Sequence, residues 1–499
     1  MLVGVSQPVC GTRSRSHHTR WIDVIGRACT IPSVSPILPR AALLLSLLSV
    51  LACGDDDASD SSSSASSGGG GAGAGTSSGT GNVGGSGGTS GTGGTGGELP
   101  SPDCAPLPAP SGQIIEVEPG DDLAAIVASA PAGATVSLAD GTYDLSGKTL
   151  WISVNGMSLR GQSGDASKVV LDGGYDTPAG GLISVASASD VTIAHLSVRR
   201  GRYHLIHVSA SSAPADRTRI YDVRALDPGE QAIKINHAST GNYADFGEVA
   251  CSTIELSDAG RQQVMQYTSS GSNCYTGGID AHGAQGWIVR DNRISGFWCS
   301  NGDLSEHGVH FWTGSRDTRV ERNLLVDNAR GIGFGLSSGG RSYADTPCPG
   351  ISDASHYGGV VANNLIVATD ADLFASPNGM DGGISLAHAC GATVVHNTVA
   401  STQAPFASIE WRFADTDVML VNNLTTHTMR ERDGATATSL GNIETATAAD
   451  FVDLGAFDLH LAAGASAIAQ GAAEGASLAP LDVDGDPRPA APDVGADQR

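Results

Sequence analysis

Past residue 52 the chain has no apolar run near the about 20 residues that a membrane-spanning helix takes, so no such helix is expected there. Aromatic residues make up only 5% of the 499 positions, and 67 positions are glycine, which leaves a chain built of small side chains. Positive charge is scarce too. Lys and Arg total 28 against 52 Asp and Glu, a formal charge of −24, which argues against nucleic acid and anionic lipid surfaces as partners. None of the nine cysteines forms a C-x-x-C pair, so a zinc ribbon is not expected.

What is present begins with an unusual start. Arg13, Arg15, Arg20, Arg27 and Arg40 precede a largely apolar stretch, Ala41–Leu51, that ends at Ala52-Cys53. A basic region, a short apolar segment and a small residue at a cleavage point mark an export signal. A basic stretch of forty residues is long for a signal, which points to a true start downstream of Met1. Residues 53–100 are nearly all Asp, Ser, Gly, Thr and Ala. They cannot bury enough apolar surface to order themselves and are expected to act as a flexible tether. The division is therefore signal 1–52, tether 53–100 and a folded domain 101–499.

The folded domain repeats itself. AIKIN (232–236), GIDAH (278–282), GVHFW (308–312), GIGFG (331–335), GISLA (383–387) and SIEWR (408–412) are variants of one phrase. A second phrase follows the middle ones and closes on Asn292, Asn323, Asn364, Asn397 and Asn423, at spacings of 31, 41, 33 and 26 residues. A constant phrase at irregular spacing is one structural rung carrying insertions of different length. The phrases are period-2 apolar runs, so the rungs are strands and the predicted fold is all-β, a right-handed parallel β-helix. Asp121 and Asp122 introduce a helical run at 123–130, placed to cover the open end of the first rung. The asparagines are expected to take left-handed backbone at a bend and to bond to their copies above and below.

Because Ile or Val in each phrase points inward, the residues beside it point outward. Two exposed columns are predicted. The first holds Lys234, Asp280, His310, Gly333, Ser385 and Glu410; the second holds Asn236, His282, Trp312, Gly335, Ala387 and Arg412. Rungs lie about 4.8 Å apart and successive outward residues about 6.8 Å apart, so Lys234, Asp280, His282, His310 and Trp312 should share a patch. Glu306, His307 and Arg330 would rim it, and insertions at 238–276, 295–307 and 336–382 would sprout near it. Trp312 offers a face on which a sugar ring could stack, with Gly333 and Gly335 as a bare floor beyond.

The opening EVEPGDDL…AGATVSLADGTYDL, the asparagine rungs and the closing DLHLAAGASAIAQGA…LDVDGDPRPAAPDVGAD resemble bacterial right-handed β-helix repeat proteins related to pectate lyases, over roughly residues 112–497. Val50-Leu51-Ala52-Cys53 resembles a bacterial lipobox, which implies lipid on Cys53 and a lipoprotein held at the outer membrane or cell surface by that anchor alone. An ordinary signal peptide with a chance cysteine is the alternative. Export permits disulfides. Cys251 with Cys274 and Cys299 with Cys348 are the expected pairs, free buried thiols the alternative. LDVDGDPR (481–488) resembles part of a calcium loop but lacks the closing Glu of an EF-hand, and reads as a capping turn.

Two chemistries suit the patch. In uronic-acid elimination, Lys234 or His282 removes the proton beside the carboxylate, His310 protonates the leaving oxygen, and Arg330 or a bound cation neutralises the charge. Lysine and arginine do such jobs in the resembling lyases. Alternatively Asp280, His282 and His310 form a two-histidine, one-carboxylate metal site. Ca²⁺ or a divalent transition metal is the cofactor these readings allow. Trp312, Asn236, Glu410 and Arg412 would contact substrate, the last two otherwise pairing with each other. The expected protein is thus a monomeric polysaccharide lyase. A glycoside hydrolase using Asp280 and Glu306 and a non-catalytic carbohydrate-binding adhesin are the alternatives. Simple cross-strand charge pairing, about 0.2–1 kcal/mol per contact, would also produce such columns.

Overall fold

The computed structural model describes residues 104–499 apart from 179, 239–240 and 268–273, so the signal, Cys53 and the tether lie outside the described residues. Apolar residues at every second position drive the chain into short strands, and each strand pairs in parallel with its counterpart one rung on. One sheet has ten strands, running from Leu150–Ile152 to Met429–Arg432. The other wall is a continuous set of 22 strands, most of them of two to four residues. The result is a right-handed parallel β-helix.

Its core is a stack. Ile206, Ile233, Ile279, Val309, Ile332, Ile384 and Ile409 follow one another in register, and all are fully buried. Burying each such side chain contributes about 1.5–3 kcal/mol. At the N-terminal end the helix Leu123–Ser129 presses Leu123 and Val127 into the same apolar cluster as Leu150 and Ile152, capping the first rung as expected. Near the C-terminus Phe451–Asp453 and Asp458–Leu461 pair antiparallel and pack outside the strands Leu324–Val326 and Leu365–Ala368. The LDVDGD segment is a turn in which buried Asp482 accepts from the backbone of Asp484, Asp486 and Gln498.

The asparagines form a ladder. Each side-chain amide donates to the next carbonyl oxygen at 2.9 to 3.0 Å, from Asn292 through Asn323, Asn364, Asn397 and Asn423 to Asn442. The left-handed backbone, however, belongs to the residue before each one: Asp291, Arg322, Asn363, His396 and Asn422 have φ of 53° to 57°. The bend is made one position early so that the amide itself can point into the stack.

Two of the expected insertions are not single loops. Residues 238–276 contain the strands Glu248–Ala250 and Thr253–Glu255 and the helix Asp258–Tyr267; 336–382 contain His356–Tyr357, Val360–Ala362, Leu365–Ala368 and the helix Ala371–Ala375. What remains outside strands among the described residues falls largely at one corner, in 256–267, 274–276, 296–308 and 369–381, before strands of the ten-stranded sheet. The disulfides follow this stacking. They join Cys104 to Cys251, Cys274 to Cys299 and Cys348 to Cys390, correcting the pairing expected from bracketing. Cys274 and Cys299 lie in loops of consecutive rungs at that corner, and Cys251 lies beside the entering N-terminal segment, where Leu107 packs.

Candidate functional site

The first column is in register from end to end: Lys234 pairs with Asp280, Asp280 with His310, His310 with Gly333, Gly333 with Ser385 and Ser385 with Glu410. It also continues upstream through His207 and Ser184 to Trp151, and downstream to Arg430. In the second column His282 pairs with Trp312 and Ala387 with Arg412.

These columns face away from the core, yet their centre is not exposed. Lys234 is 2% exposed, Asp280 1% and His310 0%. The segment 274–276 brings Tyr275 against Lys234, loop 296–308 brings Glu306 and His307 against His310, and Cys274–Cys299 ties the two together. Trp312 is no open platform either. His310 stacks on it at 5.3 Å, His282 meets its ring at 4.5 Å, and its Nε1 donates to Asp280 at 2.8 Å. The floor at Gly333 is occupied by the His307 ring, since a Cβ there would come within 2.7 Å of His307 Nε2.

At the centre Lys234 Nζ lies 2.6 Å from Asp280 Oδ2, 3.0 Å from His282 Nε2 and 3.4 Å from the Tyr275 hydroxyl. Burial pushes the Asp280 carboxyl up, but Lys234, His282 and His310 together hold it well below the usual carboxylate range. Accepting the Lys234 proton at Nε2 leaves His282 with its own proton on Nδ1. Next to this group His310 Nδ1 lies 2.9 Å from Glu306 and 3.8 Å from Asp280, while its Nε2 meets the Gly335 carbonyl at 3.3 Å. Glu306 is likewise raised by burial and lowered further by His310 and His307, ending well below its ordinary value. Burial and the nearby His310 bring His307 down to about 4, and burial and Lys234 bring His207 down to about 4. Three buried atoms around the cluster have no hydrogen-bond partner among the described residues: His207 Nε2, Asn236 Oδ1 and His307 Nδ1.

No protein-family model matches the chain, and no curated protein matches it. Among solved structures it is similar to the pectate lyase Pel9A at 15% identity, covering 78% of this chain and 97% of that one, with a TM-score of 0.46. An alginate lyase from Paenibacillus sp. str. FPU-7 is 14% identical over 65% of this chain and 99% of its own, TM-score 0.46. PfbA, a surface adhesin of Streptococcus pneumoniae, is 10% identical over 64% and 86%, TM-score 0.37.

Other expected site residues are engaged elsewhere. Arg330 pairs with Asp381 at 2.8 Å. Glu410 pairs with Arg432 and Arg412 with Asp433, not with each other, because each reaches the next rung or the turn beyond it more easily than a neighbour two positions along its own strand. The Asp280, His282 and His310 set has the Lys234 ammonium between its first two members, so a cation of the protein's own already fills that space. Tyr275 is a new member, carried by a loop without periodicity. His207 and Trp151 are new as well. Their phrases, LIHVS and LWISV, carry them at the same place as Lys234 in AIKIN, which was the signal to extend the column.

Proposed function

We propose that the chain is an extracellular carbohydrate-active protein, a polysaccharide lyase that cleaves a uronic-acid polymer by β-elimination at the Lys234 cluster. The observation that carries this reading is the contact of one buried ammonium with Asp280, His282 and Tyr275. Elimination needs positive charge where an enolate-like anion develops, a base for the proton beside the carboxylate, and an acid for the leaving oxygen. Lys234 is ion-paired and buried, so it supplies charge and not the base. Tyr275 and the 18% exposed His282 carry the reachable polar atoms. An ammonium beside a phenol favours its phenolate form. Tyr275 then takes the proton, the electron pair of the broken carbon–hydrogen bond becomes the new carbon–carbon double bond, the bond to the leaving oxygen breaks with its pair, and His282 Nδ1–H protonates that oxygen. Asp280 positions Lys234 and does not touch substrate.

Three disulfides among the described residues support an oxidising, extracellular setting, and lipid on Cys53 would hold the protein at the cell surface. Trp151, half exposed, lies three strands upstream of Lys234 in the same column, about 14 Å away. It is the aromatic face a sugar ring could stack on, in the place Trp312 was expected to take.

The test is turnover on a panel of uronic-acid polymers, reading unsaturated products in the ultraviolet and reducing ends in parallel. Tyr275→Phe should lower kcat by about 100-fold or more while circular dichroism is unchanged. Reducing ends without unsaturation would replace the lyase by a hydrolase. No cleavage, with Trp151→Ala weakening polymer binding, would make it an adhesive binding protein.

A further inference from the structure

We propose that Glu306, His307 and His310 hold a divalent transition-metal ion through three protein ligands. The proposal concerns what the cluster binds and stands whether or not a polymer is cleaved. One donor atom from each residue lies within 4.8 Å of the others. Glu306 Oε2 is 2.9 Å from His310 Nδ1 and 3.6 Å from His307 Nδ1. A tetrahedral ion bound at about 2.0–2.1 Å sets its donors about 3.3 Å apart, so these two separations bracket the required edge.

Hydrogen bonding leaves one of these three atoms, His307 Nδ1, without a partner among the described residues, and sets the other two against each other. His310 Nε2 donates to the Gly335 carbonyl, which leaves Nδ1, directed at the Glu306 carboxylate, as the nitrogen that can bind an ion. That contact needs a positive centre, which either a second proton on His310 or a metal ion supplies, and the unpartnered His307 Nδ1 beside it points to the ion. His307 is 3% exposed, and its Nδ1 has no hydrogen-bond partner among the described residues, since the 3.6 Å to Glu306 is too long for one. Both rings are held in place from behind. Trp312 stacks on His310, and His307 lies where only a glycine at 333 leaves room. The glycine in the first column is thereby explained as a seat for a ligand.

Two imidazoles and one carboxylate select Zn²⁺ or a similar first-row ion over Ca²⁺ or Mg²⁺, which take oxygen donors. Three protein ligands leave a coordination position for water or for an anionic ligand. On the lyase reading that ligand would be the uronate carboxylate.

The full chain, stripped with a chelator and dialysed, would be titrated with Zn²⁺ by calorimetry and with Co²⁺ by visible absorption. The expected result is one ion per chain, a ligand-field band of four- or five-coordinate Co²⁺, and at least a 100-fold loss of affinity in His307→Gln and in Glu306→Gln. His282→Gln should change affinity by no more than a few-fold. Circular dichroism of each variant separates lost ligation from lost fold, and the side chain at 306 keeps its size in Glu306→Gln. The proposal is overturned if no stoichiometric binding occurs, or if His307→Gln and Glu306→Gln bind as the parent does. It is equally overturned if the ion is lost in His282→Gln instead, or in a variant of the separate His460, Asp484 and Asp497 group near the C-terminus.

Discussion

The asparagine ladder from Asn292 to Asn423 and the column from His207 to His310 are both rows of largely buried polar side chains on successive rungs of one solenoid. The inner ladder side chains, Asn323, Asn364 and Asn397, all make the same bonds. Asn364 donates to Val320, Ala362 and Asn397 and accepts from the backbone and side chain of Asn323, and Asn397 repeats the pattern one rung on. In the column no two residues share a bonding pattern, charges are buried, and His207 Nε2 and, on the loop beside it, His307 Nδ1 have no partner among the described residues. Repetition with complete satisfaction is what a structural device looks like. A non-repeating cluster with buried charge and unmet donors costs stability, and a fold retains such a cost at sites that do chemistry.

The comparison breaks most sharply at Lys234. Removing one partner of a buried ion pair leaves the other charge uncompensated, at a cost of about 3–5 kcal/mol. Lys234→Met should lower stability by that amount in urea denaturation, contrary to what an exposed column would give. Adding Asp280→Leu should recover most of the loss without restoring turnover. If the double variant is no more stable than the single one, Asp280 is not the charge that Lys234 compensates.

The ladder should show a smaller effect and no functional one. Asn364→Ala removes the acceptor of Asn323 and the donor to Val320, leaving groups whose burial unsatisfied costs about 1–3 kcal/mol each. Denaturation midpoint should fall while turnover per folded molecule and metal stoichiometry stay at the parent values. Loss of turnover at unchanged fold would show that the ladder and the column are not separable.

Much of this was readable because the rungs are periodic. Inward Ile and Val fix which side chain stands beside which, so Lys234, Asp280 and His310 could be aligned across 76 residues from the phrases alone. Burial was not readable, because the covering segments 274–276 and 296–308 carry no period. For the same reason Tyr275 went unseen, and Glu306 and His307 were placed on a rim when they are inside the cluster. The chain has three lysines, Lys148, Lys168 and Lys234, and Lys234 alone sits in an apolar strand phrase. A lone lysine there was a sign that a buried partner had to exist.

The smallest expected effect is at the far end of the column, where Glu410 and Arg412 sit on the same face without the covering loops. Their partners are Arg432 at 2.7 Å and Asp433 at 2.8 Å, and Arg432 and Asp433 are themselves 34% and 40% exposed at the side chain. Pairs this accessible are screened by solvent and contribute about 0–1 kcal/mol. Glu410→Gln and Arg412→Ala should therefore shift the denaturation midpoint little, and less still at high salt. Their KM for any polymer that is cleaved should match the parent's, because both charges already have partners and lie about 14 Å or more from His310. A rise in KM of about tenfold in Arg412→Ala, with stability unchanged, would show that Arg412 leaves Asp433 to hold an anionic sugar, and the polymer track would then run the full length of the sheet.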